Sequence, residues 1–235
     1  MRTIAFLTQK GGTGKTTLAA SVAVAAASAG ENVIALDLDP QGSLVRWASR
    51  REAADARNRV IVDLLECERL PQLPKILDGL ADVGFTVAVF DTAGADPSAI
   101  RHVTEAVDLC LLPVRPSLLD VEATVATFRA AYLAKRTAAF VLNQCPPVYH
   151  SARAKAAAKA LSELGVLAEP MLSTRMDFQD AIAAGVGVTE YARNGRAARE
   201  IVELWAWISA QISGRQLEAP SGLRARRLPD SAQAA

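Results

Sequence analysis

Aromatic residues are scarce in this 235-residue chain, at 5% of positions, although 51% of it is hydrophobic. Its core must therefore be built mainly from Ala, Val, Leu and Ile. Only three cysteines occur, Cys67, Cys110 and Cys145, with no C-x-x-C pairing. That excludes a disulfide framework and a zinc-ribbon pattern, and suits small buried thiols in a reducing compartment. The two histidines, His102 and His150, lack ligand spacing and fit ordinary surface or loop positions. No apolar run reaches the roughly 18–20 residues that a membrane-spanning helix needs. Twenty-six basic residues against 25 acidic ones leave a net charge of +1, so nucleic-acid binding would require a local patch. Met1 leads straight into an apolar segment without a signal-peptide pattern, and the expected location is cytoplasmic.

What is present is a phosphate-binding turn. The run Lys10-Gly11-Gly12-Thr13-Gly14-Lys15-Thr16-Thr17 follows the apolar Thr3-Ile4-Ala5-Phe6-Leu7 and precedes an alanine-rich stretch ending at Gly30. Strand, glycine-rich turn, then helix is the setting in which backbone N–H groups cradle phosphate. Glycines let the chain fold tightly into an anion nest; the helix adds its positive end and Lys15 a full charge. Thr16 places a hydroxyl where it can ligate a Mg²⁺ that also bridges phosphates. The ordinary G-x-x-x-x-G-K-[ST] spacing would need glycine at position 9, which is Gln9. Instead a second lysine, Lys10, opens the pattern K-G-G-x-G-K-[ST]-T.

Apolar and helical segments alternate after this turn. Strands are expected at 2–8, 32–37, 60–62, 85–90, 108–113, 138–143 and, weakly, 167–172. Helices are expected at 16–29, 46–58 (charged and exposed), 73–80, 119–134, 151–164, 177–184 and 196–212. The alternation predicts an α/β fold, a single doubly wound, mostly parallel sheet with helices on both faces. On the last helix, Trp205 and Ile208 are expected to pack inward, with Trp207 on another side. Residues 1–213 form one expected domain. After Gly214, Pro, Ser, Ala and Arg prevail without periodicity, so 214–235 is expected to be a disordered basic tail.

Ligands of open α/β sheets bind at the carboxyl ends of strands, where three acidic positions fall. Asp37-Leu38-Asp39-Pro40-Gln41 closes the second strand, and Asp91, in Asp91-Thr92-Ala93-Gly94, closes the strand beginning near Phe85. Asp91 matches a Walker B carboxylate that holds Mg²⁺ through water, and Asp39 is placed to orient a water for attack on a γ-phosphate.

K-G-G-T-G-K-T-T, D-L-D-P-Q-G-S and V-F-D-T-A-G together resemble the ParA/MinD superfamily of deviant Walker A ATPases, and within it the short ParA type of partition and positioning ATPases. The resemblance spans roughly residues 1–213. It implies ATP and Mg²⁺ as ligands, and slow ATP hydrolysis to ADP and phosphate. It assigns phosphate contacts to Gly11, Gly12, Thr13, Gly14, Lys15 and Thr17, and Mg²⁺ to Thr16, Asp39 and Asp91. Lys10 would cross a homodimer interface to the partner's nucleotide, with Lys15 and Asp39 organising catalysis. Asn143 would stand where relatives read adenine, although an asparagine at a strand end equally suits a turn. Arg175 would line the adenine pocket through its backbone. Lys10 finds its full set of partners only when a γ-phosphate is present, so ATP but not ADP would drive dimerisation.

From Arg193 to the end, seven arginines face four acids, a local +3. Arg193, Arg196 and Arg199 are candidates for nonspecific double-stranded DNA binding by the ATP dimer, strengthened by duplication in the dimer. A solvated helix face followed by a basic tail is the plainer reading. No helix-turn-helix precedes the first strand, so operator recognition is not expected. The implied partners are a ParB-like or cargo adaptor that stimulates hydrolysis and releases the DNA, with nucleoid association in the ATP state and no membrane. The alternatives are a MinD-like membrane-cycling ATPase, which needs an amphipathic C-terminal helix, and a metabolic enzyme of the same superfamily. The tail lacks apolar periodicity, and residues 91–105 lack the cysteine that an iron protein needs.

Overall fold

Strand β1 (Arg2–Phe6) shows how a core poor in aromatics is filled. Ile4 and Phe6 face one helical layer while Ala5 and the following Leu7 face the other, all fully buried. The same alternation divides β4 (Val87–Asp91) and β5 (Leu109–Val114), apolar on both faces as a covered parallel strand requires. The computed structural model describes residues 1–94, 96–147 and 151–214. With β2 (Val33–Asp37), β3 (Val60–Leu64), β6 (Thr137–Leu142) and β7 (Val166–Leu167), these strands form a seven-stranded sheet. Its order is β3-β2-β4-β1-β5-β6-β7, and every pairing is parallel. His150, Arg215, Arg224, Arg226, Arg227 and the tail expected from 215 onward lie outside the described residues.

One face carries α1 (Lys15–Ser28), α2 (Ser43–Ala53), α7 (Met176–Ala183), α8 (Val188–Tyr191) and α9 (Arg196–Ile212). The other carries α3 (Leu73–Asp82), α4 (Pro97–Ala106), α5 (Leu118–Leu133) and α6 (Ala152–Leu164). Helix α1 is buried without a break from Leu18 to Ala26, and its alanines let the sheet and the outer helices approach it from both sides. Ile201, Leu204, Trp205 and Ile208 form the inward stripe of α9, with Trp207 half-buried beside it. Among the described residues no helix is long and apolar enough to cross a membrane.

Several expectations are corrected. Helix α2 begins at Ser43 rather than 46, ends at Ala53, and is not simply exposed, since Leu44, Trp47 and Arg51 are buried. Its start is set by Asp37, whose Oδ2 accepts the Leu44 and Val45 N–H groups at 2.9 and 3.2 Å. Helix α4 was not expected; Asp96 caps it through the Ser98 and Ala99 N–H groups, and Pro97 opens it. Helix α8 and a 3-10 segment at Cys67–Gln72 were also not expected. The strand expected at 167–172 is only Val166–Leu167, followed by one isolated bridge from Cys145 to Ser173.

The far end of α2 is fastened by a buried ion pair. Arg51 Nη1 and Nη2 reach Glu190 Oε2 and Oε1 at 2.7 and 2.9 Å, and Asn58 Nδ2 and the Gly187 N–H also donate to this carboxylate. Burial opposes its ionisation, but Arg51, the Gly187 N–H and Asn58 outweigh that and hold Glu190 at about 2, against an ordinary 4.5. A carboxyl depressed in this way contributes stability that is complete above 4.5 and is lost as pH falls towards 2. Glu190→Gln is expected to cost about 3 kcal/mol near neutrality, because it leaves Arg51 buried beside a neutral amide. Urea unfolding should show the gap to wild type closing as pH falls through that window.

Candidate nucleotide-binding site

The glycine-rich turn lies between the end of β1 and the first residue of α1, at the carboxyl edge of the central strand. Gly14 occupies the N-cap of α1 at φ 92°, without a side-chain cap, and no acidic residue lies in the first turn. The first N–H groups and the positive helix end are thus left for an outside anion. A Cβ at Gly14 would stand 2.5 Å from Asn143 Nδ2, so close approach as well as backbone conformation demands glycine. From the end of β6, Asn143 Nδ2 donates to Thr13 O at 2.7 Å and Gln144 Nε2 to Gly12 O at 2.9 Å. These bonds engage the loop's carbonyl groups. Gly94, following β4, presses on the loop from another side: a Cβ there would lie 3.0 Å from Thr8 O.

Three charged groups converge on this turn. Asp91 is buried, and neither carboxylate oxygen has a hydrogen-bond partner. Burial pushes its carboxyl up to about 7, with Asp37 and Asp39 adding to the rise while Thr16 and Lys15 resist it. Burial likewise lowers the Lys15 ammonium, against the attraction of Asp91 and Asp39. Asp37 and Asp91 are register partners on β2 and β4, but Asp37 is occupied in capping α2. Asp39 is half-buried, and its Oδ1 accepts the Gln41 N–H at 2.9 Å.

An unpartnered buried carboxylate beside a threonine hydroxyl suits a hydrated Mg²⁺. Among the described residues no three His, Cys, Asp or Glu side chains gather as a metal cage. Thr16, Asp91 and Asp39 are the residues that would hold the ion, with phosphate oxygens and water completing its shell. Bound there, Mg²⁺ supplies neutralising charge for transferring phosphoryl oxygens.

Two cavities meet at the turn. One, of about 420 Å³, is lined by Gly11, Gly12, Lys15, Thr16, Asp39 and Gly94 among others. The second, of about 180 Å³, shares Gly14 and Thr17 with the first and continues past Asn143, Gln144, Arg175 and Phe178. A polar chamber opening into a narrower one floored by Phe178 has the form that phosphates followed by a nucleoside need. Arg175 lines the narrower chamber, but its guanidinium is turned to Glu200, with Nη2 2.9 Å from Oε1. Glu200 Oε2 also accepts the Ser173 N–H at 3.0 Å, tying this wall to α9.

The structure thus gathers Gly11, Gly12, Gly14, Lys15, Thr16, Thr17 and Asp39 on the cavities, with Thr13 buried in the turn and Asp91 buried beside Lys15. Asn143 lines the narrower chamber, yet its Nδ2 is committed to Thr13 O. Sequence reasoning did not find that buttress, nor Gln144 or Glu200, since each contact joins segments remote in sequence. Lys10 does not line the phosphate cavity; its Nζ lies 3.6 Å from Asp120 Oδ1 of the same subunit. Arg193, Arg196 and Arg199 are exposed on the α8–α9 turn and the first turn of α9, away from both cavities and without an ion pair among the described residues.

Comparison with known proteins agrees with this geometry. Residues 4–188 match the family described as the CobQ/CobB/MinD/ParA nucleotide binding domain. Maintenance of carboxysome distribution protein A of Gloeobacter kilaueensis is 34% identical over 202 residues, 85% of this chain and 88% of that protein. The chromosome-partitioning ATPase Soj of Thermus thermophilus is 38% identical over 124 residues, 50% of this chain and 47% of Soj. Among solved structures, an ATP complex of a Cyanothece McdA variant has a TM-score of 0.74 at 15% identity, covering 93% of this chain and 98% of McdA. The Pyrococcus furiosus cell division ATPase MinD has a TM-score of 0.70 at 20% identity, covering 88% and 98%. At such identities these two likenesses speak for the fold. The two-chambered site at the carboxyl end of β1, the parallel sheet and the family match converge: the chain belongs to the CobQ/CobB/MinD/ParA nucleotide-binding family, within the ParA/MinD superfamily of P-loop ATPases.

Proposed function

We propose that this protein is a positioning or partition ATPase that dimerises on binding ATP and Mg²⁺, binds DNA nonspecifically as that dimer, and lets go after hydrolysis. The observation that carries the reading is the division between the two lysines of one turn. Lys15 lines the phosphate cavity, whereas Lys10 stands outside it with its side chain 32% exposed. A lysine that stands outside its own phosphate cavity and is partly exposed is placed to reach another subunit's nucleotide. In hydrolysis, Asp39 orients a water whose oxygen attacks the γ-phosphorus while the bond to the departing ADP oxygen breaks. Lys15, Thr16 and the turn's N–H groups meet the growing negative charge. Lys10 from the partner adds to that charge stabilisation, so the closed dimer is the competent state. The cargo is a protein assembly or a DNA molecule linked through a ParB-like or cargo adaptor; the similarity to carboxysome distribution proteins favours a protein assembly. The proposed location is the cytoplasm, on the nucleoid while ATP is bound.

Arg193, Arg196 and Arg199 are the proposed DNA contacts, exposed and without intramolecular partners among the described residues. Co-sedimentation with plasmid DNA tests this. Wild type should bind with a non-hydrolysable ATP analogue and not with ADP. Arg196→Glu with Arg199→Glu should weaken binding at least tenfold and flatten its salt dependence, while dimers persist. Equal binding with ADP would remove the nucleotide dependence, and an unchanged salt slope in the double variant would remove these arginines from the account.

A further inference from the structure

Away from the nucleotide site, a groove of about 650 Å³ lies between α9 and the edge of the sheet at β7. Its lining is mainly apolar, with Leu167, Ala168, Pro170, Met171, Ala206 and Trp207. Met171 is 45% exposed and Trp207 half-buried, so this apolar surface meets solvent. Two exposed acids, Glu169 and Glu203, share the lining, and neither forms an ion pair among the described residues. Glu203 lies four residues after Arg199 and four before Trp207, on one face of α9.

An occupant that suits this lining must offer apolar surface and positive charge together. Arginine does both: its stem covers apolar area, while its guanidinium stacks on an indole and forks onto a carboxylate. The chain carries such a segment soon after α9, Leu223-Arg224-Ala225-Arg226-Arg227-Leu228, outside the described residues. Helix α9 ends at Ile212. At 1.5 Å per residue, Trp207 and Glu203 stand about 8 and about 14 Å back from that end. Residues 213–222, fully extended, would span about 33 Å, so the segment can return to the groove of its own subunit. Tethering also presents it there at an effective concentration of the order of millimolar, an advantage no free partner has.

We propose that residues 223–228 dock in this groove, their arginines pairing with Glu169 and Glu203 and lying over Trp207. The docked segment lies along the α9 face that carries Arg199. This docking goes beyond the function proposed above and does not depend on it.

Acrylamide quenching of tryptophan fluorescence in the full chain, without nucleotide, tests the proposal. Trp47 and Trp205 are buried, so Trp207 dominates what a neutral quencher reaches. Two exposed ion pairs favour docking about tenfold, so losing them should raise the quenching constant at least about twofold. Arg224→Glu, Arg226→Glu and Arg227→Glu combined should show that rise, as should Glu169→Arg with Glu203→Arg. The chain carrying all five changes should return to the wild-type value, because the charges are then exchanged rather than removed. The tail variant leaves the groove itself unaltered, so unchanged quenching in it overturns the proposal. A chain with all five changes that stays as accessible as the tail variant overturns it too. Wild-type protection should be the same in dilute and concentrated protein. Protection lost on dilution would place a second copy's segment in the groove, and docking within one chain would be overturned.

Discussion

Lys15→Gln is expected to abolish nucleotide binding while leaving the fold in place. Among the described residues Lys15 is the one basic side chain lining the phosphate cavity, and Asp91 and Asp39 both attract it. Without it, incoming phosphates meet two carboxylates and lose the full positive charge that the turn itself supplies. A charge-assisted contact to a phosphate in such a site contributes about 3 kcal/mol, so affinity should fall at least about 100-fold. Thermal unfolding of the nucleotide-free protein should change little, since Lys15 is half-buried and neither Asp91 oxygen is hydrogen-bonded to it. Isothermal titration with MgATP measures the loss, and affinity within about threefold of wild type would refute the assignment of this turn to phosphate.

Lys10→Ala should act on a different step. Because Lys10 lies outside the phosphate cavity, binding of ATP by a single subunit should stay within about threefold of wild type. Fold stability should drop by no more than about 1 kcal/mol, the usual range for a partly exposed pair, since Asp120 keeps Arg115 and Ser117. The dimer is where the loss should appear. Two lysines are removed from an interface crowded with phosphate charge, and dimer affinity should fall by about 100-fold or more. A nucleotide titration monitored at low and high protein concentration separates the two effects. Weakened ATP binding with normal dimerisation would reverse the roles given to the two lysines.

The phosphate turn was legible in sequence because its chemistry is local. Glycines needed for backbone reasons and lysines needed for charge stand within eight consecutive residues, Lys10 to Thr17. The central strands were legible because being covered on both faces leaves continuous apolar runs such as Val87-Ala88-Val89-Phe90. What escaped were features supplied by the fold. Helix α2 takes its cap from Asp37, seven residues before Leu44, so its start carried no local capping signal. The turn is buttressed by Asn143 across 130 residues of chain, and only the parallel packing of β6 near β1 brings the two together. Arg175 was expected on the nucleoside pocket, but its pairing with Glu200 depends on where α9 returns. Lys10 was expected to wait for a partner's nucleotide; its attachment to Asp120 depends on how α5 begins beside the turn.

The central claim, that triphosphate rather than diphosphate closes two subunits, is tested most directly by solution mass. Light scattering on the wild-type chain with Mg²⁺ and a non-hydrolysable ATP analogue should give twice the 24.9 kDa of one chain, and with ADP a single chain. A single-chain mass in both nucleotides, or a doubled mass in both, would contradict the account.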